Sequence, residues 1–448
     1  MFWHFLKHYM SVVVAVFFKR TRVKNVDNLK INAPAILAMN HPNSFADPIA
    51  LSSIIYPPRT WYLARGDAFK KGIVTTLLQG MGIIPIFRIQ DGGKEGLAKN
   101  NETYDIVNKL LRKKKKIIVF AEGLSIQERR LRPLKKGVPR MAFGAVEAFP
   151  ELSNLVIIPV GVNYSWPVNF RCNLFYNVGE PIKLSDYLEQ YKEVPAKAMN
   201  QLMADLTVKM KELIVTINHE RNEKIVEQIE EIYRSIYFEK HKLNNRNLEH
   251  DFMFSTSVAQ TINNADASSA SASNSGEYLE GLKEKAHFYF SQLQKYKLKD
   301  WLLNPSKNYQ VNYVVLALNI TVLIATIPFY IIGVIGNYWI YKVTDTLVKQ
   351  KVKLPEFKSS FMIGIGAILL LINYTVIYTI SSLIYNYWVG ILTVFVFAIC
   401  GQICLWLSPL RKKTKGIWSI LKLKKQNPKT YNELQKQRSD IITLYEQL

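Results

Sequence analysis

The stretch Asn40-His41-Pro42-Asn43-Ser44-Phe45-Ala46-Asp47-Pro48 follows directly on the apolar run 34–39. A histidine leaves a short buried strand, a proline interrupts the chain, and a carboxylate follows within a turn and a half of helix. Imidazole and carboxylate together make a general base. The ring takes a proton from a hydroxyl, while the carboxylate fixes its tautomer and stabilises the imidazolium that forms.

The spacing constrains where the two side chains can sit. On one continuous helix the six-position offset from His41 to Asp47 rotates one side chain by roughly 600° relative to the other and leaves them pointing apart. His41 is therefore expected before the helix, at the strand end, where Pro42 lets the ring swing back over the first turn. Asn43 or Ser44 is the candidate N-cap of that helix. An isolated pair of this kind is also compatible with a histidine that caps a strand near an unrelated aspartate.

Three further blocks follow, each an apolar strand-like run that ends in polar or glycine-containing residues. They are Gly82-Ile83-Ile84-Pro85-Ile86-Phe87-Arg88, then Ile117-Ile118-Val119-Phe120-Ala121-Glu122-Gly123-Leu124-Ser125, then Val156-Ile157-Ile158-Pro159-Val160-Gly161-Val162. In order and spacing the four blocks resemble the glycerolipid acyltransferase family (lysophosphatidate-acyltransferase-like), over residues 20–185. The commoner family pattern has four residues between histidine and aspartate. Five stand here, as in a subgroup similar to eukaryotic glycerol-3-phosphate and dihydroxyacetone-phosphate acyltransferases. Ala121 and Leu124 also depart from the usual third block.

The resemblance implies that His41 deprotonates a glycerol hydroxyl for attack on an acyl thioester, with Asp47 as its orienting partner. It puts Asn43, Arg88, Glu122, Gly123, Ser125, Lys135 and Pro159 at substrate-binding positions. The residue types fit. A guanidinium at Arg88 offers a planar fork to a phosphate dianion, although pairing to a neighbouring acid such as Asp91 would also account for it. Gly123 permits close backbone approach, and Glu122 can accept from an acceptor hydroxyl. The basic segment 127–137 leads into a helix-like stretch, and Lys135 and Lys136 just ahead of free amide N–H groups suit an anion. A solvated basic face would look the same. Pro159, inside an apolar run, is expected on an edge strand or a bulge, and the family associates that block with the acyl donor.

Short apolar runs at 34–39, 59–64, 82–87, 117–121, 155–162 and 173–178 alternate with helical stretches. They predict an α/β acyltransferase domain, a mixed sheet covered by helices, over 21–185. A helical segment and a C-terminal transmembrane helical domain follow. Residues 1–20, aromatic at the start and basic at the end, read as an interfacial anchor helix; 11–18 is apolar but lacks a small-residue cleavage site. Residues 186–260 read as a charged helical extension, 261–277 as a flexible linker of Ala, Ser, Asn and Asp, and 278–310 as an amphipathic helical segment.

No charge occurs in 311–341 or 359–410. The second run is long enough for two spans, 360–384 and 387–409, turning near Asn386. The first, as one straight helix, would be roughly 46 Å long against a hydrocarbon core of about 30 Å. The lysines of 342–358 and the basic tail 411–448 should share the cytoplasmic side. A catalytic domain beside cytosolic acyl donors then requires 311–341 to form a hairpin broken at Pro328.

The chain has 448 residues and a net charge of +23. That charge suits an anionic membrane surface. No nucleic-acid partner is indicated, because zinc spacing, a recognition helix and aromatic RNA-binding signatures are missing. Three cysteines, two of them in an apolar span, give neither a disulfide framework nor a metal site. The expected partners are a phosphorylated glycerol or lysophospholipid acceptor and acyl-CoA or acyl-carrier protein as co-substrate, with no cofactor. Other classes fit parts of the pattern: an acyltransferase for another lysolipid such as a lyso-aminolipid, a hydrolase activating water, or a non-catalytic membrane lipid-binding protein. The hydrolase would lack a Gly-x-Ser-x-Gly elbow.

Overall fold

The computed structural model describes residues 2–55, 60–66, 69, 72–87, 100–268, 274–304 and 311–448. The chain divides into two compact units, residues 1–216 with 351–364, and residues 217–350 with 365–448.

The first unit opens with α1 (Phe2–Phe17), whose Val13, Val14 and Phe17 are buried while Phe5 and Val12 stay exposed. In chain order come β1 (Arg20–Lys24), β2 (Ala35–Met39), α2 (Ala46–Ile54), β3 (Thr60–Arg65), α3 (Ile73–Gly80) and β4 (Ile83–Ile86). They are followed by α4 (Asn100–Arg112), β5 (Lys116–Phe120), α5 (Gly137–Ala148), β6 (Val156–Tyr164), β7 (Asn173–Val178), β8 (Ile182–Lys183), α6 (Ser185–Glu193) and α7 (Pro195–Glu212). Among the described residues the strands form one mixed sheet in the order β1-β7-β6-β2-β5-β3-β4, with β8 also on β6. Pairing is parallel except where β6 meets β7 and β8.

Every residue of β2 is buried, as its unbroken apolar sequence requires in a parallel strand covered on both faces. On one face Ile36, Ala38, Ile117, Val119 and Ile157 pack with Val107 and Leu111 of α4, Met141 and Ala142 of α5, and Leu202 and Leu206 of α7. Two strands escaped the sequence pattern. β1 alternates basic residues at the sheet edge, and β8 is two residues long, pairing antiparallel with Val156 and Ile157 of β6.

Pro159 is not on an edge strand. It faces Ala38 in the sheet interior, between the part of β6 that pairs with β8 (Val156, Ile157) and the part that pairs with β7 (Val160–Tyr164). A residue without an N–H is tolerated at that change of partner, and its carbonyl accepts from Gly179 N at 2.9 Å.

The second unit contains α8 (Glu223–Lys240), α9 (Leu248–Ser268), α10 (Asn274–Lys295), α11 (Tyr313–Ala325) and α12 (Ile327–Lys351). Next is α13 (Pro355–Ile384), whose first turns, through Gly364, belong to the first unit. α14 (Tyr387–Gln426) and α15 (Pro428–Tyr445) complete the chain. The flexible linker expected over 261–277 is largely helix. α9 continues to Ser268 because Ile262 and Ala265 prolong the buried stripe of Phe254 and Val258, and α10 resumes at Asn274. Residues 269–273, the core of that expectation, lie outside the described residues. Arg438 of α15, nearly sealed, clamps buried Asp300 with Nε–Oδ1 at 2.9 Å and Nη2–Oδ2 at 3.3 Å, and donates to Ile232 O.

α13 and α14 are long and apolar enough to cross a membrane. Between them Asn386 caps α14 through the amide of Val389. α11 and α12 are bent by 60° at Thr326. That is a kink, short of the reversal a tight hairpin has, and it precedes Pro328. As second residue of α12, Pro328 occupies a turn in which no intrahelical N–H is needed. Several polar side chains in this apolar region are paired. Asn373 Nδ2 donates to Gly336 O (3.0 Å), Trp339 Nε1 to Asn373 Oδ1 (3.1 Å), Asn337 Nδ2 to Phe397 O (3.0 Å) and Tyr374 OH to Asn337 Oδ1 (2.8 Å).

One close approach fixes how the end of α7 lies over the sheet. A Cβ on Gly161 would fall 2.2 Å from the backbone oxygen of Leu213, which also accepts from Asn163 Nδ2 at 2.9 Å. Gly161→Ala must push that crossing off β6. The expected loss is about 1–3 kcal/mol, read as a lower thermal midpoint of the full-length protein; an unchanged midpoint would contradict the packing.

Candidate active site

The parallel strands β2 and β5 end side by side, with Met39 opposite Phe120 in register, so both segments that follow emerge at the carboxyl edge of the sheet. Ligands of open α/β sheets bind at such edges. His41 and Glu122 leave from these two strands. Asn40 ties the first to β6, accepting from Val162 N at 2.7 Å and donating to Val162 O at 3.1 Å.

His41 stands before α2, with its ring stacked on Phe120 at a centroid distance of 3.5 Å. Its Nδ1 lies 2.9 Å from Asp47 Oδ2. The Asp47 side chain is fully buried and that of His41 is 15% exposed, so the ring is reachable while the carboxylate is not. Two more donors reach the carboxylate: Asn43 N to Oδ2 at 2.9 Å and Tyr164 OH to Oδ1 at 2.6 Å. Tyr176 OH holds the Asp47 carbonyl at 2.7 Å. Burial, and then the neighbouring Asp47 charge, hold the Tyr164 phenol well above its ordinary range, so it remains a donor. With an ionised Asp47, Nδ1 carries the proton and Nε2 is the free basic nitrogen.

The turn between histidine and aspartate contradicts the expected cap. α2 starts at Ala46 with Phe45 in the N-cap position and no capping side chain. Asn43 instead accepts the amide of Ala46 through its carbonyl (3.1 Å), and Ser44 takes a left-handed conformation with φ of 46°. Ser44 N is satisfied by Ser125 Oγ at 2.9 Å, which fastens the third block to the first. The Ser360 hydroxyl, from the head of α13, accepts from Ala46 N at 2.9 Å and donates to Asn43 O at 3.0 Å.

Glu122 is 7% exposed, and the amides of His41 (3.3 Å) and Arg132 donate to its carboxyl. Gly123 beside it has φ of 70°, a conformation that suits glycine, and Lys135 packs against it. Arg130 and Arg132 converge on Glu128 at 2.7 and 2.6 Å, holding its carboxyl down to about 2 chiefly through the Arg130 hydrogen bond.

Residues 20–163 match the family described as Acyltransferase. That segment is an acyltransferase domain. Over 109 residues, 24% of this chain, it is 35% identical to Glycerol-3-phosphate O-acyltransferase 2 of Saccharomyces cerevisiae. Over 125 residues, 27% of the chain, it is 29% identical to Glycerol-3-phosphate O-acyltransferase 1 of the same organism. The matched stretches span only 14% and 16% of those relatives. Among solved structures, the 1-acyl-sn-glycerophosphate acyltransferase PlsC from Thermotoga maritima aligns with a TM-score of 0.31 at 14% identity, covering 45% of this chain and 79% of that one.

Of the acyltransferase residues expected from sequence, the structure brings together His41, Asn43, Asp47, Glu122, Gly123, Ser125 and Lys135. Pro159 is set back in the interior of β6, and Arg88 lies outside the described residues. Tyr164, Tyr176, Phe120, Asn40 and Ser360 were not foreseen. Phe120 and Asn40 lie within the quoted blocks and could have been read from them. The tyrosines and Ser360 reach the turn only through the topology.

Desolvation raises the Glu122 carboxyl to about 7, against lesser opposing contributions from the His41 and Arg132 amides. A raised folded-state value stabilises the fold below the ordinary carboxyl range, and that contribution is lost as pH rises through about 7. Wild-type thermal midpoints should therefore fall relative to Glu122→Gln between pH 5 and pH 8, by the equivalent of up to about 3 kcal/mol. Parallel curves would show that Glu122 does not take up a proton on folding.

Proposed function

We propose that the protein is a membrane-bound O-acyltransferase of phospholipid synthesis. It moves a fatty acyl group from acyl-CoA or acyl-carrier protein to the hydroxyl of glycerol-3-phosphate or 1-acylglycerol-3-phosphate. The observation that carries the reading is the His41 ring, held by Nδ1 on sealed Asp47 at the carboxyl end of β2 while its own side chain keeps some exposure.

In this mechanism His41 Nε2 removes the acceptor hydroxyl proton as the oxygen attacks the thioester carbonyl carbon. The C–O bond forms, the C–S bond breaks, and the imidazolium returns its proton to the departing thiolate. Asp47 stabilises the imidazolium and Tyr164 fixes the carboxylate. Glu122 and Lys135 are the candidate contacts for the acceptor's hydroxyl and phosphate, with Arg88 as a second phosphate ligand. The names of the two Saccharomyces cerevisiae relatives support glycerol-3-phosphate as acceptor.

The catalytic unit faces the cytoplasm in this proposal, where acyl thioesters are made. The Ser360 bonds to the catalytic turn support it, because they tie that turn to the head of α13, next to the lysine-rich segment 342–358.

Two measurements test these statements. Purified full-length protein in lipid nanodiscs, given labelled acyl-CoA and a panel of phosphorylated and lysolipid acceptors, should acylate glycerol-3-phosphate or its 1-acyl derivative. His41→Ala should lower transfer on the order of 10²–10⁴-fold while binding to anionic vesicles persists; undiminished transfer would remove His41 from the role of base. Single cysteines at Glu102→Cys and Asp345→Cys should both label from the cytoplasmic side of sealed vesicles, and opposite-side labelling would refute the topology.

A further inference from the structure

α2 is a helix without a cap of its own. Its first amides lie in a turn forced by the five-residue spacer, with Phe45 where a serine or aspartate would ordinarily stand and Ser44 in the left-handed region. Each of three amides in this turn is taken by a side chain: Asn43 N by Asp47 of α2 itself, Ser44 N by Ser125, and Ala46 N, shared with Asn43 O, by Ser360. Ser360 also returns its proton to Asn43 O, so one hydroxyl bridges both ends of the turn that separates base from acid. Next to it, fully buried Ser359 donates to Pro167 O at 2.5 Å, the same carbonyl that receives Asn43 Nδ2 at 3.1 Å. Both serines lie within the first turns of α13, a helix otherwise long and apolar enough to span a bilayer.

We propose that Ser360 is a positioning residue for the His41–Asp47 base, an N-cap delivered to α2 by the candidate membrane helix α13, with Ser359 fixing the same turn through Pro167. The inference rests on the acyl-transfer reading for its catalytic consequence. Two residues adjacent in sequence hold both ends of the turn, so a shift of the head of α13 acts on the aspartate that orients His41. Loss of one capping hydroxyl weakens a helix start without touching substrate. The expected signature is thus a fall in turnover with substrate binding retained.

The experiment compares wild type, His41→Ala, Ser360→Ala and Ser360→Thr as full-length protein in nanodiscs. Ser360→Ala should lower kcat on the order of 5–10-fold with KM for acyl-CoA within about twofold, and Ser360→Thr, which keeps the hydroxyl, should recover most of the loss. A second readout does not depend on catalysis. Hydrogen exchange over residues 43–50 should be faster in Ser360→Ala than in wild type, and near wild type in Ser360→Thr. If wild type transfers acyl groups and His41→Ala does not, but Ser360→Ala matches wild type in kcat, the inference alone fails. If wild type shows no transfer, the functional reading fails and exchange decides the capping role. Unchanged exchange then overturns it, and faster exchange restored by threonine sustains it.

Discussion

A carboxylate with no exposed surface is the constraint on which the catalytic unit is built. Water cannot solvate Asp47, so the protein must supply its donors, and leaving any of them out would strand a charge in the core. Two come from the turn just before α2, the His41 ring and the Asn43 amide, and the third, the Tyr164 hydroxyl, from the distant strand β6. Meeting them requires β2 and β6 to be neighbours and α2 to begin where it does. The sheet order, with β2 between β5 and β6, follows from that need as much as from apolar burial.

What the sequence disclosed depended on how local the cause was. β2, β5 and β6 are apolar on consecutive positions, so their existence and their parallel burial were legible, and the polar residues at their ends marked the site. β1 was invisible because Arg20, Arg22 and Lys24 alternate at a solvent-facing edge and look like the flank of a helix. The cap of α2 was misplaced because Asn43 and Ser44 are both good capping residues by type; here one contributes its carbonyl and the other its amide, and the hydroxyl comes from position 360. No periodicity relates positions 46 and 360.

Composition misled at 261–277. Alanine, serine and asparagine bury little, so a helix there has little reason to form on its own. Ile262 and Ala265 change the balance because they continue a stripe already buried by Phe254 and Val258. Helix propensity is a weak prior once neighbours supply a surface. The same lesson applies at Pro328, which entered the second position of a helix while the break fell one residue before that helix began.

The asparagines of the apolar helices have a consequence for assembly. Asn337 of α12 donates to Gly333 O of its own helix but also to Phe397 O of α14 and accepts from Tyr374 of α13, and Asn373 of α13 pairs with Gly336 and Trp339 of α12, so neither α12 nor α13 fully satisfies its amide by itself. Each is a reluctant passenger until the others arrive, and the bundle is favoured as a set. Under the membrane reading proposed above, whichever of these helices is made first carries an unmet hydrogen-bonding demand until the later ones stand beside it.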